Sequence, residues 1–183
     1  MALPMQSSPQ FTLTIPSSGQ KVRFRPFLVK EEKALLIAQQ TEDLKVMVDT
    51  LRGVIKGCLL EEIDINKLAT FDLEYMFLQI RGKSVGETVD LFFMCDTDHG
   101  DQNDKARVKM TIDLSQIEVK KAPDHSNKIP LFNDVGVVMK YPTMEIAEEM
   151  GELKDIEDIF GLVAQSIDYI YDKDEVYYAK ETK

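Results

Sequence analysis

The chain has 183 residues, of which 44% are hydrophobic and 30% are charged. A chain of this length and composition can bury one core, so we expect one soluble globular domain with a helical appendage rather than a disordered or fibrous protein. The formal net charge is −10 at pH 7. Because an acidic surface repels phosphate backbones, we do not expect nucleic acid as the main ligand.

The sequence carries no signal of secretion, membrane insertion or disulfide bonding. Its first ten residues have neither a basic segment nor an apolar run, and no later apolar run approaches the length that spans a bilayer. Cys58 and Cys95 are the two cysteines. Two cysteines in unrelated contexts predict no disulfide framework and fit a reducing cytosol.

The chain begins with a polar stretch that leads into a hairpin pattern. Residues 1–10 contain Pro4 and Pro9 and show no hydrophobic period, so we interpret them as a flexible N-terminal arm. Residues 11–15 and 22–25 each alternate apolar with polar side chains, and the Pro-Ser-Ser-Gly sequence between them has turn chemistry. This pattern predicts an N-terminal β-hairpin.

A cluster of three helices is predicted next. Residues 30–40 are strong helix formers, and residues 41–43 supply an N-cap and an acidic first turn for a second helix. The apolar face of that second helix continues to Cys58. Thr70 is a candidate cap for a third helix over 71–81, whose apolar residues surround most of its circumference. We expect this helix to be central.

The hydrophobic period changes to two after the helices. Alternating segments at 89–95 and 106–112 predict a second β-hairpin. Shorter extended segments are predicted at 117–119, 128–132 and 135–141. The middle of the chain is therefore expected to be rich in β-structure.

The last part of the chain is predicted to be helical. Thr143 can cap a short helix to about Met150, which Gly151 breaks. The helix after it would carry one long apolar stripe. The stripe comprises Leu153, Ile156, Ile159, Phe160, Val163, Ile167 and Ile170.

These elements together predict an α+β fold with an N-terminal β-hairpin, a helical cluster, a second β-hairpin with short strands, and C-terminal amphipathic helices. We divide the chain into the arm at 1–10, an α+β core domain at 11–142, and an acidic C-terminal helical segment at 143–183. That last segment holds 4 Lys or Arg against 12 Asp or Glu. Its charge favours a basic partner.

The segment between the second pair of strands is the densest cluster of potential metal ligands. The candidates are Cys95, Asp96, Asp98 and His99. A calcium loop would need glycine one position later and a glutamate where Arg107 stands, and a structural zinc site would need two further ligands. We therefore predict a solvated hairpin loop with no metal or other cofactor. A metal-binding module or metal-dependent enzyme is the competing hypothesis.

No motif in the sequence predicts catalysis. His99 and His125 lie in polar, loop-like contexts without an adjacent nucleophile signature. The triplet Gly-Lys-Ser at 82–84 matches the end of a phosphate-binding loop, but Phe77 stands where the first glycine is required. We interpret the triplet as a helix end followed by a turn, and we predict that the chain is not an enzyme.

Two segments are candidates for protein contacts, because arginine and aromatic residues are enriched at interface hot spots and apolar stripes bind partner grooves. The first is the junction between the first hairpin and the first helix, with Arg23, Arg25, Pro26, Phe27 and Lys30. The second is the C-terminal stripe, with Ile156, Phe160, Val163 and Ile167. The alternative is that Phe24, Phe27 and the stripe are core residues and that the charges are solvated.

Three stretches of the sequence occur in the order in which a known family carries them. They are VRFRPFLVKEEK at 22–33, FDLEYMFLQIRGKSVGE at 71–87, and HSNKI at 125–129 followed by GVVMKYPT at 136–143. On these stretches the chain resembles the baseplate hub subunit family of T4-type bacteriophages, over roughly residues 11–143.

The resemblance implies a non-enzymatic protein that helps to build the hub of a contractile-tail baseplate through contacts with other phage tail proteins. It implies the cytoplasm of the infected bacterium as the place of assembly, with the virion tail as a second location. A transient assembly chaperone and a homo-oligomer both stay open as alternatives. Relatives have paired cysteines in the second hairpin, where this chain has only Cys95.

Overall fold

A computed structural model of the chain describes residues 8–94, 107–146 and 156–178. Helices and small antiparallel sheets occur together, which confirms the predicted α+β class. The chain divides into two compact units. Unit one comprises Met1–Ile63 and Glu74–Glu118, and unit two comprises Asp64–Leu73 and Val119–Lys183. Within the described ranges, no helix is long and apolar enough to cross a membrane.

Unit one opens with the predicted N-terminal hairpin. Strand β1 (Phe11–Thr14) pairs antiparallel with β2 (Lys21–Phe24), so that Phe11 lies opposite Phe24. Gly19 has a φ of +72°, a conformation that glycine adopts without steric cost, and its N–H donates to the carbonyl of Ile15. The turn between the strands therefore depends on this glycine.

Two helices follow the hairpin, as predicted. Helix α1 spans Val29–Gln40 and helix α2 spans Leu44–Cys58. The Asp43 carboxylate accepts hydrogen bonds from the N–H groups of Lys45 and Val46. This cap satisfies two of the N–H groups that an α-helix leaves without an internal partner, which explains why α2 begins there.

Helix α3 (Thr70–Val85) is longer than predicted, because Gly82 does not end it. Its first residues belong to unit two and the remainder belongs to unit one. The Ser84 hydroxyl donates to the carbonyl of Ile80, and Lys83 forms an ion pair with Glu87 one turn further on. The hydrogen bond from Ser84 to Ile80 spans Gly82 and offsets its low helix propensity, and the chain turns only at Gly86, where φ is +133°. The interpretation of residues 82–84 as a helix end and turn is wrong.

The second predicted hairpin is present and completes unit one. Strand β3 (Thr88–Met94) pairs antiparallel with β4 (Arg107–Asp113). The extended segment predicted at 117–119 is not a paired strand: after a single 3₁₀ turn at Leu114–Gln116, the backbone of Ile117 is extended but belongs to none of the described sheets. The Asp113 carboxylate accepts from the Ser115 N–H and thereby favours the turn over a strand.

The core of unit one is formed by the inward faces of these elements. Its buried apolar residues are Leu13, Ile15, Val22, Phe24, Ala38, Val54, Ile55, Cys58, Met76, Ile80 and Leu114. Phe24 is only 1% exposed, so the expectation that it is a core residue is confirmed. The hairpin β1–β2 and helices α2 and α3 supply most of this core.

Unit two contains a four-stranded antiparallel sheet. Its strands are β5 (Lys128–Phe132), β6 (Val135–Met139), β7 (Ile167–Tyr171) and β8 (Val176–Tyr178), in the spatial order β5-β6-β7-β8. Asn133 and Asp134 both have positive φ, as a two-residue hairpin turn requires. The predicted strands at 128–132 and 135–141 are thereby confirmed in position.

The prediction of a long C-terminal helix is only partly confirmed. Helix α4 spans Ile156–Gln165, and strand β7 begins two residues later. The prediction that Ile167 and Ile170 continue the helical stripe is wrong, because the backbone there pairs with β6 and tertiary pairing overrides helical spacing. Residues 144–146 are helical, as expected after Thr143, and the rest of that predicted helix lies outside the described residues.

The proposed division at 1–10, 11–142 and 143–183 stays a prediction. The acidic last segment nevertheless contributes β7 and β8 to the same sheet as residues 128–139. In its described part it is therefore a mixture of helix and strand.

Gly136 offers a test of the sheet, since the ring of Tyr171, its cross-strand neighbour, lies over it. A Cβ built on Gly136 would stand 2.7 Å from Tyr171 Cε1 and closer still to two other atoms of that side chain. We expect Gly136→Ala to lower the free energy of unfolding by about 1–3 kcal/mol, because the ring must leave its position.

Gly161→Ala is the matched control, since a Cβ there meets nothing within 4 Å in helix α4. It should leave stability unchanged or raise it slightly, because alanine is the better helix former. Urea unfolding of both variants provides the measurement. Equal midpoints for the two variants would show that the tyrosine does not depend on the glycine.

Candidate interaction surface

Arg25 lies just after β2 and is engaged inside unit one. Its Nη2 donates to Glu31 Oε1 at 2.9 Å and to the carbonyl of Gly57 at 2.7 Å, while Nη1 donates to the carbonyl of Pro26 at 2.9 Å. Its side chain is only 17% exposed. The guanidinium therefore joins the strand end, the start of α1 and the end of α2.

Glu31 completes this arrangement from the first turn of α1. Its second carboxylate oxygen, Oε2, accepts from the Leu28 N–H at 2.6 Å, so the same side chain caps the helix and pairs with Arg25. Burial raises the pKa of the Glu31 carboxyl, but the hydrogen bonds from Arg25 and Leu28 and the charges of Arg25 and Lys30 outweigh burial and hold it below its usual value. Glu31 is thus ionised at neutral pH.

Backbone hydrogen bonds reinforce the same junction. The Arg25 N–H donates to the carbonyl of Cys58, and the Leu60 N–H donates to the carbonyl of Arg23. Cys58 itself is fully buried, and burial raises the pKa of its thiol to about 11. A thiol of this kind is a packing group rather than a nucleophile.

Two of the other junction candidates, Arg23 and Lys30, are more accessible than Arg25. Arg23 is 59% exposed and pairs with Glu61 at 2.7 Å, and Lys30 is exposed. Pro26 and Phe27 are half-buried, and the Phe27 N–H donates to the Ser84 hydroxyl. The junction residues are close together, but Arg25 is directed into the unit and not toward a partner. Their role in binding stays a prediction.

Helix α4 presents its apolar residues to solvent. Ile156 and Phe160 are each 69% exposed, and Val163 is 49% exposed. Glu157 and Asp158 lie beside them in the first turn. Ile167, the fourth candidate, is half-buried in β7 and does not belong to this surface. We call Ile156, Ile159, Phe160 and Val163 the α4 stripe.

Sequence reasoning missed further exposed apolar regions, two of which lie in unit one. One is on α1 and the start of α2, where Val29, Leu36, Ile37 and Leu44 are each more than half exposed. The other is the β3–β4 hairpin, whose alternation predicted strands correctly but could not show that its apolar face is uncovered. For the region on α1 and α2, the only signal in the sequence was that the apolar residues of α1 are not gathered on one face.

The metal candidates Cys95, Asp96, Asp98 and His99 lie outside the described residues. In the three described ranges, no group of three or more His, Cys, Asp or Glu side chains is placed to hold a metal. His125 stacks on Tyr141, with His125 Nε2 and Tyr141 Oη 2.8 Å apart. Ser126 follows His125 in the sequence without a nucleophile signature around it, and its hydroxyl donates to the carbonyl of Lys128.

Exposed apolar surfaces of this extent are typical of a subunit of a larger assembly. A family model described as T4 bacteriophage base plate protein matches residues 8–183. Because the match covers nearly the whole chain, the protein belongs to this family of bacteriophage baseplate proteins. No curated protein and no solved structure matches the chain significantly.

Removal of the Glu31 carboxylate should be costly. We expect Glu31→Ala to lower the free energy of unfolding by about 3 kcal/mol, because it leaves the largely buried Arg25 charge and the Leu28 N–H without their partner. Glu61→Ala, which removes the partner of the exposed Arg23, is the control and should cost much less. Urea unfolding of both variants gives the comparison. Equal losses of stability would contradict the expectation that the buried pair matters more than the exposed pair.

The same pair predicts a pH dependence. Since the folded state lowers the pKa of Glu31, the stabilisation is fully present above the unfolded pKa of about 4.5 and is lost as the pH falls through the lower folded value. The stability difference between the natural protein and Glu31→Gln should therefore be constant from pH 7 to pH 5 and shrink below that. A difference that does not change down to pH 3 would exclude the ion pair as its cause.

Proposed function

We propose that the protein is a non-enzymatic component of the baseplate hub that acts through contacts with other phage baseplate or tail proteins. Family membership supports the baseplate, and the resemblance of residues 22–33, 71–87, 125–129 and 136–143 supports the hub. The acidic net charge argues against nucleic acid as the main ligand. Assembly would take place in the cytoplasm of the infected bacterium.

The observation that carries this proposal is the exposure of the α4 stripe. Exposure of Ile156 and Phe160 to water is unfavourable. A partner that covers them would gain about 25 cal/mol of binding free energy for each Å² of apolar surface removed from water. An amphipathic helix with an apolar stripe fits an apolar groove. Because residues 143–183 are strongly acidic, the groove would have a basic rim.

A transient assembly chaperone is the second candidate. The same exposed stripe supports it, because a chaperone also covers apolar surfaces of its client. A permanent subunit remains in the mature particle, whereas a chaperone leaves before maturation. The metal-binding hypothesis at Cys95 and His99 stays a prediction, because both residues lie outside the described part of the chain.

Mass spectrometry of purified phage particles, together with a pull-down from infected cells, separates these candidates. We expect the protein in both samples, at a fixed ratio to hub proteins. Detection in the pull-down alone would mean a chaperone. Absence from both would contradict a baseplate role of either kind.

Substitution in the α4 stripe tests the surface itself. We expect the double variant Ile156→Ser/Phe160→Ser to fold normally, because both side chains are 69% exposed, and to lose at least tenfold in its recovery of hub proteins from infected cells. Binding of the natural protein should also weaken with added salt, since the stripe is flanked by Glu157 and Asp158.

Val29→Ser/Ile37→Ser is the matched control, with two exposed apolar side chains on helix α1. Circular dichroism and urea unfolding establish that both double variants are folded. If the α4 variant retains full binding, or if the α1 control loses as much, the α4 stripe is not the specific contact.

A further inference from the structure

The sheet of unit two has two edges, β5 and β8, and the β5 edge is closed. Alternate residues of an edge strand direct their backbone N–H and C=O groups away from the sheet. The Met139 N–H donates to the carbonyl of Asn127, so the alternation directs the backbone groups of Lys128 and Pro130 outward. The Ser126 hydroxyl accepts from the Lys128 N–H and donates to its carbonyl. Pro130 has no N–H, so neither residue offers a donor to a further strand.

The β8 edge is open. The Asp172 N–H donates to the carbonyl of Glu175, and the register then directs the backbone groups of Tyr177 toward β7 and those of Val176 and Tyr178 outward. The two N–H and two C=O groups of these outward residues have no hydrogen-bond partner among the described residues. The strand contains no proline, lysine or bulge of the kind that protects an edge. Four backbone groups therefore face one side of this short strand.

The side chains at the open edge can receive a cation. Tyr171, Tyr178 and Lys128 lie on one face of the sheet. On this face the Lys128 ammonium lies 4.3 Å from the centroid of the Tyr171 ring. The ring of Tyr178 is 73% exposed at the edge itself. It can therefore accept a second cation, carried by a neighbouring strand.

The charge around β8 is negative. Residues 167–178, which form β7, β8 and the turn between them, contain four Asp or Glu and one Lys. Asp174 and Glu175 are exposed directly before the open edge. Charge complementarity at this edge therefore favours a segment that contains Lys or Arg.

A second copy of this chain fits the edge poorly. Its own β8 would bring the same negative charges, and its β5 edge is closed. On its basic strands, Arg23 of β2 already accepts from the Leu60 N–H on the side away from β1, and Lys109 of β4 is paired with Asp90. Each copy also has a net charge of −10, so two copies repel each other. These observations favour a different protein as the occupant.

We propose that β8 accepts a basic, extended segment of a different baseplate protein as a fifth strand of this sheet, with a Lys or Arg of that segment over Tyr178. The segment is extended because outward backbone groups at strand spacing bind another strand. This inference rests on the proposed function and adds the kind of segment that the partner contributes.

Hydrogen exchange of single backbone N–H groups tests the added strand. It is followed in the free chain and in the complex recovered from infected cells. In the free chain, the N–H groups of Val176 and Tyr178 should exchange fast, and that of Tyr177, which faces β7, should exchange more slowly. In the complex, the two outward groups should slow by on the order of tenfold or more. Unchanged rates in a complex that contains baseplate proteins would overturn the added strand and leave the hub role standing.

Val176→Pro removes one outward N–H without removing a hydrogen bond to β7. Val176→Thr is the matched control, because it keeps the N–H and favours a strand. We expect the proline variant to lose on the order of tenfold in its recovery of baseplate proteins from infected cells, and the threonine variant to bind like the natural chain. Equal recovery of the two variants would overturn the proposal.

Urea unfolding establishes that both variants at position 176 are folded. Tyr178→Pro, with Tyr178→Val as its control, repeats the comparison at the second outward position. Both members of this pair lack the ring and differ in the N–H group. If Val176→Pro does not fold, this second comparison decides the outcome.

Asp174→Asn/Glu175→Gln tests whether the occupant is basic. Both side chains are exposed, and the backbone N–H groups that donate to Asp172 remain in the variant. Added salt should weaken the recovery of baseplate proteins less for this variant than for the natural chain, because fewer charges attract the partner. An identical salt dependence would overturn a basic segment as the occupant.

Sedimentation of the free chain distinguishes a second copy from a different protein. We expect a monomer with fast exchange at Val176 and Tyr178. A dimer in which both N–H groups are protected would assign the edge to a second copy and overturn the proposal. If the natural chain recovers no baseplate protein, the proposed function and this inference both fail, and no other outcome bears on the hub role.

Discussion

The ion pair between Arg25 and Glu31 is the interaction on which the arrangement of unit one depends. At this point β2 ends, α1 begins and α2 ends, and each leaves backbone groups that need partners. Arg25 satisfies the carbonyls of Pro26 and Gly57, and Glu31 satisfies the N–H of Leu28. Because the two side chains also neutralise each other, a largely buried pair of charges becomes tolerable.

Because Arg25 pairs with Glu31 inside unit one, the junction sequence needs a different interpretation from the one its residue types indicate. An arginine next to proline and phenylalanine is typical of an interface hot spot, and sequence alone could not distinguish a contact with a partner from an internal one. The distinction depends on Glu31, six residues away, and on Gly57, which comes near Arg25 only in the folded chain. Protein contacts are therefore expected where apolar groups are uncovered, on α4 and on the β3–β4 hairpin.

Local patterns predicted local structure well. The alternation of the two hairpins was sufficient, because their stabilising contacts lie close in sequence. Residues 41–43 located the start of α2, but the cap is Asp43 itself and the predicted acidic first turn is absent from this helix. Strand β7 was missed because it depends on pairing with β6, and Ile167 and Ile170 also fit helical spacing. The exposure of the α4 stripe could not be predicted either, since an amphipathic pattern identifies an apolar face but not what covers it.

Electron cryomicroscopy of assembled baseplates from the phage that encodes this chain would show directly whether the protein is a hub subunit that binds its partner through α4. We expect density for the chain in the hub, with Phe160 of α4 covered by a different protein and Arg25 still paired with Glu31 inside unit one. Baseplates that contain the chain with Phe160 in contact with solvent, or with Arg25 directed into the partner, would contradict it.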